Sequence, residues 1–209
     1  HMKQTSVKWA LIGGLLVGLS ACANTATETS KAPQGPSDEE IKQVLMGSFK
    51  ERGIAKMDRL DQTPLQQACS AKDAAAGDLS PELRAKLEAA ALQAVKYPAD
   101  GQYLGDWKKG EEVAQSGRGL QFNDKADTVA GGNCYACHQL APQELSYGNI
   151  GPSLLKYGQL RGNSEEIMKY TWAKIWNSHA YNACSNMPRF GAEGILTEAQ
   201  IKDVMALLM

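Results

Sequence analysis

Cys134-Tyr135-Ala136-Cys137-His138 places two thiols and an imidazole within five residues. On a short helical turn Cys134, Cys137 and His138 fall at i, i+3 and i+4, so both sulfurs and the ring share one face. That is the arrangement covalent attachment of c-type haem requires. Each thiol adds to a vinyl group of one porphyrin, and His138 reaches the iron from the same side. A chain with this motif has to build its core around a large, flat, apolar group. A zinc site would need a second ligand pair at a matching distance, but the other cysteines are single and His179 stands alone. A redox dithiol of the thioredoxin type would sit in a βαβ pattern, whereas here a glycine-rich loop leads into the motif and helical periodicity follows it.

The compartment agrees with this chemistry, because such haem is attached outside the cytoplasm. Lys3 and Lys8 form a basic start before the apolar run Trp9 to Leu19, which is too short for a permanent membrane span and reads as an export signal. His1 before Met2 looks like a cloning scar. Leu19-Ser20-Ala21-Cys22 resembles a bacterial lipobox, which would make Cys22 a lipid anchor; Ala21-Cys22-Ala23 would also suit an ordinary signal peptidase and a free periplasmic protein. Residues 1–22 are therefore expected to be signal and 23–37, rich in Thr, Ser, Pro and Gly, a flexible tether.

With 22 basic and 23 acidic residues the formal net charge is -1, which leaves no basic excess for nucleic acid. Residues 38–100 read as a helical extension without a dense chemical motif. Ser37-Asp38-Glu39-Glu40 is a capping box before Ile41, Val44, Leu45 and Phe49 at helical spacing. A shorter helix is expected around Leu65 to Ala71, carrying Cys69. Ser80-Pro81 opens another, with Leu83, Leu87, Ala91 and Ala94 on one face until Pro98.

Residues 101–209 read as the haem domain. Trp107, Gly110, Val113, Ala114 and Gly117 predict a helix with small residues for close approach of a neighbour. Asn163-Ser164-Glu165-Glu166 caps a helix whose Met168, Trp172, Ile175 and Trp176 could line the haem pocket. Thr197-Glu198-Ala199-Gln200 is a second capping box, before Ile201, Val204, Met205 and Leu208. With no repeat and no convincing strand, the class is all-α. A domain of about a hundred residues buries little surface alone, so the porphyrin would be a large part of its core.

Met187-Pro188 is the leading candidate for the ligand opposite His138. A thioether suits low-spin haem iron and raises its potential, and Pro188 biases Met187 toward an extended backbone that presents its side chain rigidly. Met168 and Met205 are expected in the core, while His179 and Cys184 are the rival ligands. Cys69 and Cys184 are the even remainder after the haem motif and Cys22, which in an oxidising compartment suggests a disulfide between the extension and the Met187 loop.

Gly132-Asn133 before the haem motif, Gly148-Asn149-Ile150-Gly151-Pro152-Ser153-Leu154, Asn186-Met187-Pro188-Arg189-Phe190-Gly191 and Leu196 to Asp203 together resemble the SoxX family, the mono-haem subunits of the SoxAX cytochrome of bacterial thiosulfate oxidation. The resemblance covers roughly residues 101 to 209. It implies a class I cytochrome c fold with one covalently bound haem c, His138 as proximal and Met187 as distal iron ligand, and Pro152 as the carbonyl that accepts a hydrogen bond from the His138 ring. It implies that Arg189 and Phe190 support the methionine loop. It also implies a SoxA partner subunit that carries the reactive haem, action on the SoxYZ carrier through the complex, and a soluble cytochrome c as electron acceptor. The chain would then be the electron-transfer subunit of an L-cysteine S-thiosulfotransferase complex rather than its catalytic one. A saturated His-Met iron has no open position for substrate, which independently argues against catalysis here. The competing readings are a stand-alone periplasmic electron carrier and a thiolate-ligated haem enzyme using Cys184.

Overall fold

The computed structural model describes residues 35–71 and 79–209. The signal, the lipobox at Cys22 and most of the tether lie outside the described residues. The chain divides into two compact units, His1–Ile41 and Lys42–Met209. In the first, Ser37 and Glu40 form the expected capping box: the Glu40 N–H donates to Ser37 Oγ at 3.2 Å and the Ser37 N–H to Glu40 Oε2 at 2.6 Å. They open helix α1 (Asp38–Ser48), which buries no residue, and Val44, Leu45, Met46 and Phe49 are all exposed. The helix forms where the periodicity places it, but local capping rather than burial of its apolar face accounts for it.

The second unit is all-α. It contains α2 (Pro64–Ser70), α3 (Pro81–Gln93), α4 (Trp107–Gln115), α5 (Tyr157–Arg161), α6 (Glu165–Trp176) and α7 (Glu198–Leu208). Three short 3-10 turns lie at Met57–Leu60, Cys134–Ala136 and Ser178–Ala180. The described residues hold no strand, only an isolated bridge between Arg52 and Ala55, and no helix long and apolar enough to cross a membrane. Side-chain caps start most helices: Thr63 with Gln66 for α2, Ser80 for α3, Asp106 for α4, Ser164 for α6, and Thr197 with Gln200 for α7.

Helices α4 and α7 pack directly on each other, and glycine makes the approach close. A Cβ at Gly110 would lie 2.1 Å from the Asp203 carbonyl oxygen. The start of α4 is tied to α7 by the Gly105 N–H on the Lys202 carbonyl at 2.9 Å and the Asp106 N–H on Asp203 Oδ1 at 2.7 Å. Ile201, Val204 and Met205 of α7 are buried as their spacing predicts, with Leu208 packed beside them.

Helix α6 buries the face its spacing predicts. Trp172 is fully buried, donates its indole N–H to the Lys96 carbonyl at 2.8 Å and meets Tyr103 edge-on at 5.7 Å. With Ile175, and with Met168 and Trp176 partly buried beside them, it is packed in the protein's core, the cluster on which Met187 also packs. Buried indole needs an acceptor for its N–H, and the chain end of the extension supplies one. The inward face of α3 is rotated from the one expected. Leu83 and Ala94 are exposed, whereas Leu87 is half-buried and Ala91, Leu92 and then Val95 pack into the core. Helix α5 was not expected.

Candidate haem site

The motif residues fold as a tight turn because two neighbouring segments hold them. On one side, the Gly132 N–H donates to the Val113 carbonyl at 2.8 Å and the Asn133 N–H to the Ser116 carbonyl at 2.9 Å, tying the turn to the end of α4. Asn133 takes a left-handed backbone, φ 46°, a conformation asparagine adopts more readily than most residues. The expected short helix is a three-residue 3-10 turn, Cys134–Ala136, and the His138 N–H closes an i to i+4 bond on the Cys134 carbonyl at 2.9 Å. Cys134, Cys137 and His138 are therefore brought to one turn.

On the other side, residues 148–154 run alongside the motif. Gly148 donates to the Tyr135 carbonyl at 2.8 Å, Gly151 to Cys137 at 2.9 Å and Leu154 to Gln139 at 2.7 Å. This pairing sets His138 against Gly151-Pro152. His138 Nδ1–H donates to the Pro152 carbonyl at 2.7 Å. A carbonyl can only accept, so in the neutral ring the proton sits on Nδ1 and Nε2 keeps its lone pair. A Cβ at Gly151 would lie 2.2 Å from His138 Cε1 and 2.5 Å from Nδ1, so only glycine lets the ring lie this close. Such outer contacts orient a metal-binding histidine and raise its basicity.

Cys134 and Cys137 are free, half-buried thiols, in a molecule whose other described cysteines are joined. Burial pushes the Cys134 thiol up to about 11, with the Cys137 and Glu111 side chains adding to the rise. Tyr135, between the two cysteines, is buried and donates its hydroxyl to both carboxylate oxygens of Glu111 at 3.0 Å; burial and then this partner raise its pKa. Two unpaired thiols, a ring with its Nε2 lone pair free and a glycine cradle that holds the ring fit covalent haem.

Met187 lies on the loop after the Ser178–Ala180 turn. Its carbonyl accepts from Ser178 Oγ at 2.6 Å, its N–H donates to Ser185 Oγ at 3.2 Å, and its side chain packs partly buried on the core. Arg189 pairs with Glu193, and Phe190 is buried, with its carbonyl taking the N–H groups of Ile195 and Leu196. Of the rival ligands, the structure removes Cys184. Cys184 is bonded to Cys69, so no thiolate is left for iron. His179 is buried, and its Nε2–H donates to the Ser185 carbonyl at 3.2 Å; burial lowers its pKa, which keeps the ring neutral. Met205 is fully buried in the core and Met168 packs against it.

Three residues at the site escaped the sequence. Gly151 could have been suspected only from its place before Pro152. Glu111 and Ser178 carry no sequence signal, since their partners lie 24 and 9 positions away.

Residues 108–209 match the cytochrome c family, and this part of the chain is a cytochrome c domain. The fold is accordingly the all-α class I cytochrome c fold, whose members carry covalently bound haem c and transfer electrons. The chain is also similar to an uncharacterized lipoprotein of Aquifex aeolicus (strain VF5), at 42% identity over 115 residues. That match takes in 54% of this chain and 54% of the relative, so the chain spans about half the length of the protein it matches.

Proposed function

We propose that this chain is the mono-haem electron-transfer subunit of a SoxAX-type thiosulfate-oxidising cytochrome. One haem c is joined to Cys134 and Cys137, with His138 as proximal and Met187 as distal ligand. The observation that carries the haem assignment is the His138 ring, held by Gly151 and by the Pro152 carbonyl so that Nε2 keeps its lone pair. The SoxAX assignment rests on the Gly148–Leu154 and Asn186–Gly191 motifs, which the structure gives distinct tasks: the first cradles the His138 ring, the second carries Met187.

When bound, the haem supplies a one-electron carrier. The reaction served is the oxidative joining of thiosulfate to a carrier cysteine, R–SH + S2O3(2−) → R–S–S–SO3(−) + H+ + 2 e−. The new S–S bond would form in the SoxA subunit on a cysteine of SoxYZ, and this chain would pass the two electrons singly to a soluble cytochrome c. Cys134, Cys137, His138 and Met187 would hold the haem, so that its iron would change oxidation state without changing ligands. Lipid anchoring at Cys22 in the periplasm follows from the lipobox and is supported by the lipoprotein name of the Aquifex relative.

The first test is the visible and near-infrared absorption of the haem-loaded protein in both oxidation states. A weak ferric band at about 700 nm, typical of thioether ligation, is expected; bis-histidine or thiolate features would remove Met187 from the proposal. Co-expression with a SoxA subunit then separates an obligate subunit from a stand-alone carrier. A complex that reduces a soluble cytochrome in the presence of thiosulfate and SoxYZ is expected. A chain that stays monomeric and is not reduced under those conditions would favour the stand-alone carrier.

A further inference from the structure

The loop that presents Met187 is tied at nearly every residue, and two of its ties come from outside the cytochrome c match. Within the domain, Ser178 and Ser185 hold the Met187 carbonyl and N–H, and His179 holds the Ser185 carbonyl. From the extension, Cys69 on α2 is bonded to Cys184, three residues before Met187, across 115 positions of sequence. Glu88 on α3 accepts the Ala183 N–H at 3.0 Å through Oε1.

On the side facing α2, packing does not do this work. A cavity of about 480 Å3 separates α2 from the loop, with Leu65, Gln66, Cys69, Cys184, Met187 and Pro188 in its walls. Where apolar side chains fill the space between two segments, contact alone fixes their separation. Here the disulfide spans the gap to α2 and the Glu88 hydrogen bond holds the loop to α3, and without them the loop has room to move toward α2. Helix α3 is a firm anchor, because Ala91, Leu92 and the following Val95 are packed in the core.

We propose that Cys69 and Glu88 are positioning residues for Met187: the extension fixes the loop so that the methionine sulfur is held at its place rather than exchanging with outside ligands. This rests on Met187 being the distal ligand. The clamp acts on the population of loop conformations in which the sulfur is away, and a competing ligand binds only to that population.

The test is the affinity of the ferric, haem-loaded protein for imidazole, read with the near-infrared band. Removing the Glu88 bond (Glu88→Ala) is expected to tighten apparent imidazole binding about fivefold, the change that one net hydrogen bond represents. Removing the disulfide (Cys69→Ala with Cys184→Ala) is expected to tighten it about tenfold or more and to weaken the band. Gly110→Ala, which disturbs the α4–α7 contact away from the loop, should leave imidazole affinity unchanged, so general loss of stability is separated from loss of the clamp. If the double variant yields no haem-loaded protein, the assembled wild-type protein is reduced with dithiothreitol, its thiols are alkylated and its iron is reoxidised with ferricyanide before the same titration. Affinity within about twofold of wild type in both the disulfide-free protein and Glu88→Ala would overturn the clamp. Met187→Ala distinguishes the underlying reading: if it keeps the band, Met187 is not the ligand and the proposed iron coordination fails instead.

Discussion

Replacing Gly151 by alanine tests how the His138 ring is held. In the structure a Cβ at 151 would stand 2.2, 2.5 and 2.7 Å from Cε1, Nδ1 and Nε2 of that ring, all closer than real Cβ contacts allow. The ring can retreat, because it turns about the χ angles of its own side chain, but in retreating it leaves the Pro152 carbonyl at 2.7 Å. The hydrogen bond makes the ring more basic and favours ferric over ferrous iron, so losing it raises the reduction potential. A net hydrogen bond is worth about 1 kcal/mol, which for a one-electron couple corresponds to an upper bound of about 40 mV. Cys134 and Cys137 are not displaced, so haem attachment should persist. Spectroelectrochemical titration of Gly151→Ala against wild type and against Pro152→Ala, which keeps its carbonyl, is the assay. A Gly151→Ala potential unchanged within about 10 mV, with an unaltered spectrum, would refute the argument that the glycine cradle orients the ligand.

Three further outcomes are expected. Gly110→Ala forces a Cβ against the Asp203 backbone in the α4–α7 contact and should lower stability by about 1–3 kcal/mol in denaturant unfolding; a change near zero would mean the helices separate without cost. Breaking the Cys69–Cys184 bond opens a 115-residue loop, and the chain-entropy relation gives about 4.8 kcal/mol for that length, so thermal or denaturant unfolding that shifts by less than about 1 kcal/mol would contradict it. His179 is buried and its pKa is lowered, with Lys174 and Arg189 opposing its charge and Glu193 favouring it. The unfolded chain therefore binds the proton first, so stability is full above the unfolded value of about 6.5 and is lost as pH falls below it toward the folded value. Unfolding midpoints between about pH 7 and 5 should fall in wild type and flatten in His179→Gln; equal slopes would assign the effect to another group.

The sequence was most legible where a local rule decides the structure. The boxes at Ser37 and Thr197 and the caps at Ser80 and Ser164 are short-range chemistry, and each starts a helix where its residues indicate. Cysteine parity in an oxidising compartment suggested the Cys69–Cys184 pair, because few partners were left. Tertiary choices were less legible. Leu83 and Leu87 have the spacing of one face, yet α3 turns so that Leu87, Ala91 and Leu92 face inward while Leu83 is exposed, since the neighbours of a helix and not its own period select the buried stripe. Trp172 was legible only as one of an apolar set on α6. Its indole N–H required an acceptor, and only the fold shows that the Lys96 carbonyl, 76 residues away, provides it.

That bond also bears on what the extension does. A chain starting near residue 101 would contain every haem-motif residue and the whole cytochrome c match. It would lack Val95, which is buried in the same cluster as Trp172 and Ile201, and would leave the Trp172 N–H buried without its acceptor. It would also lose Cys69 and Glu88, the two outside ties on the Met187 loop. A small haem domain has little surface to bury, so a missing core side chain and an unsatisfied buried donor weigh heavily in it. The same segment thus completes the core behind α6 and ties down the loop that carries Met187.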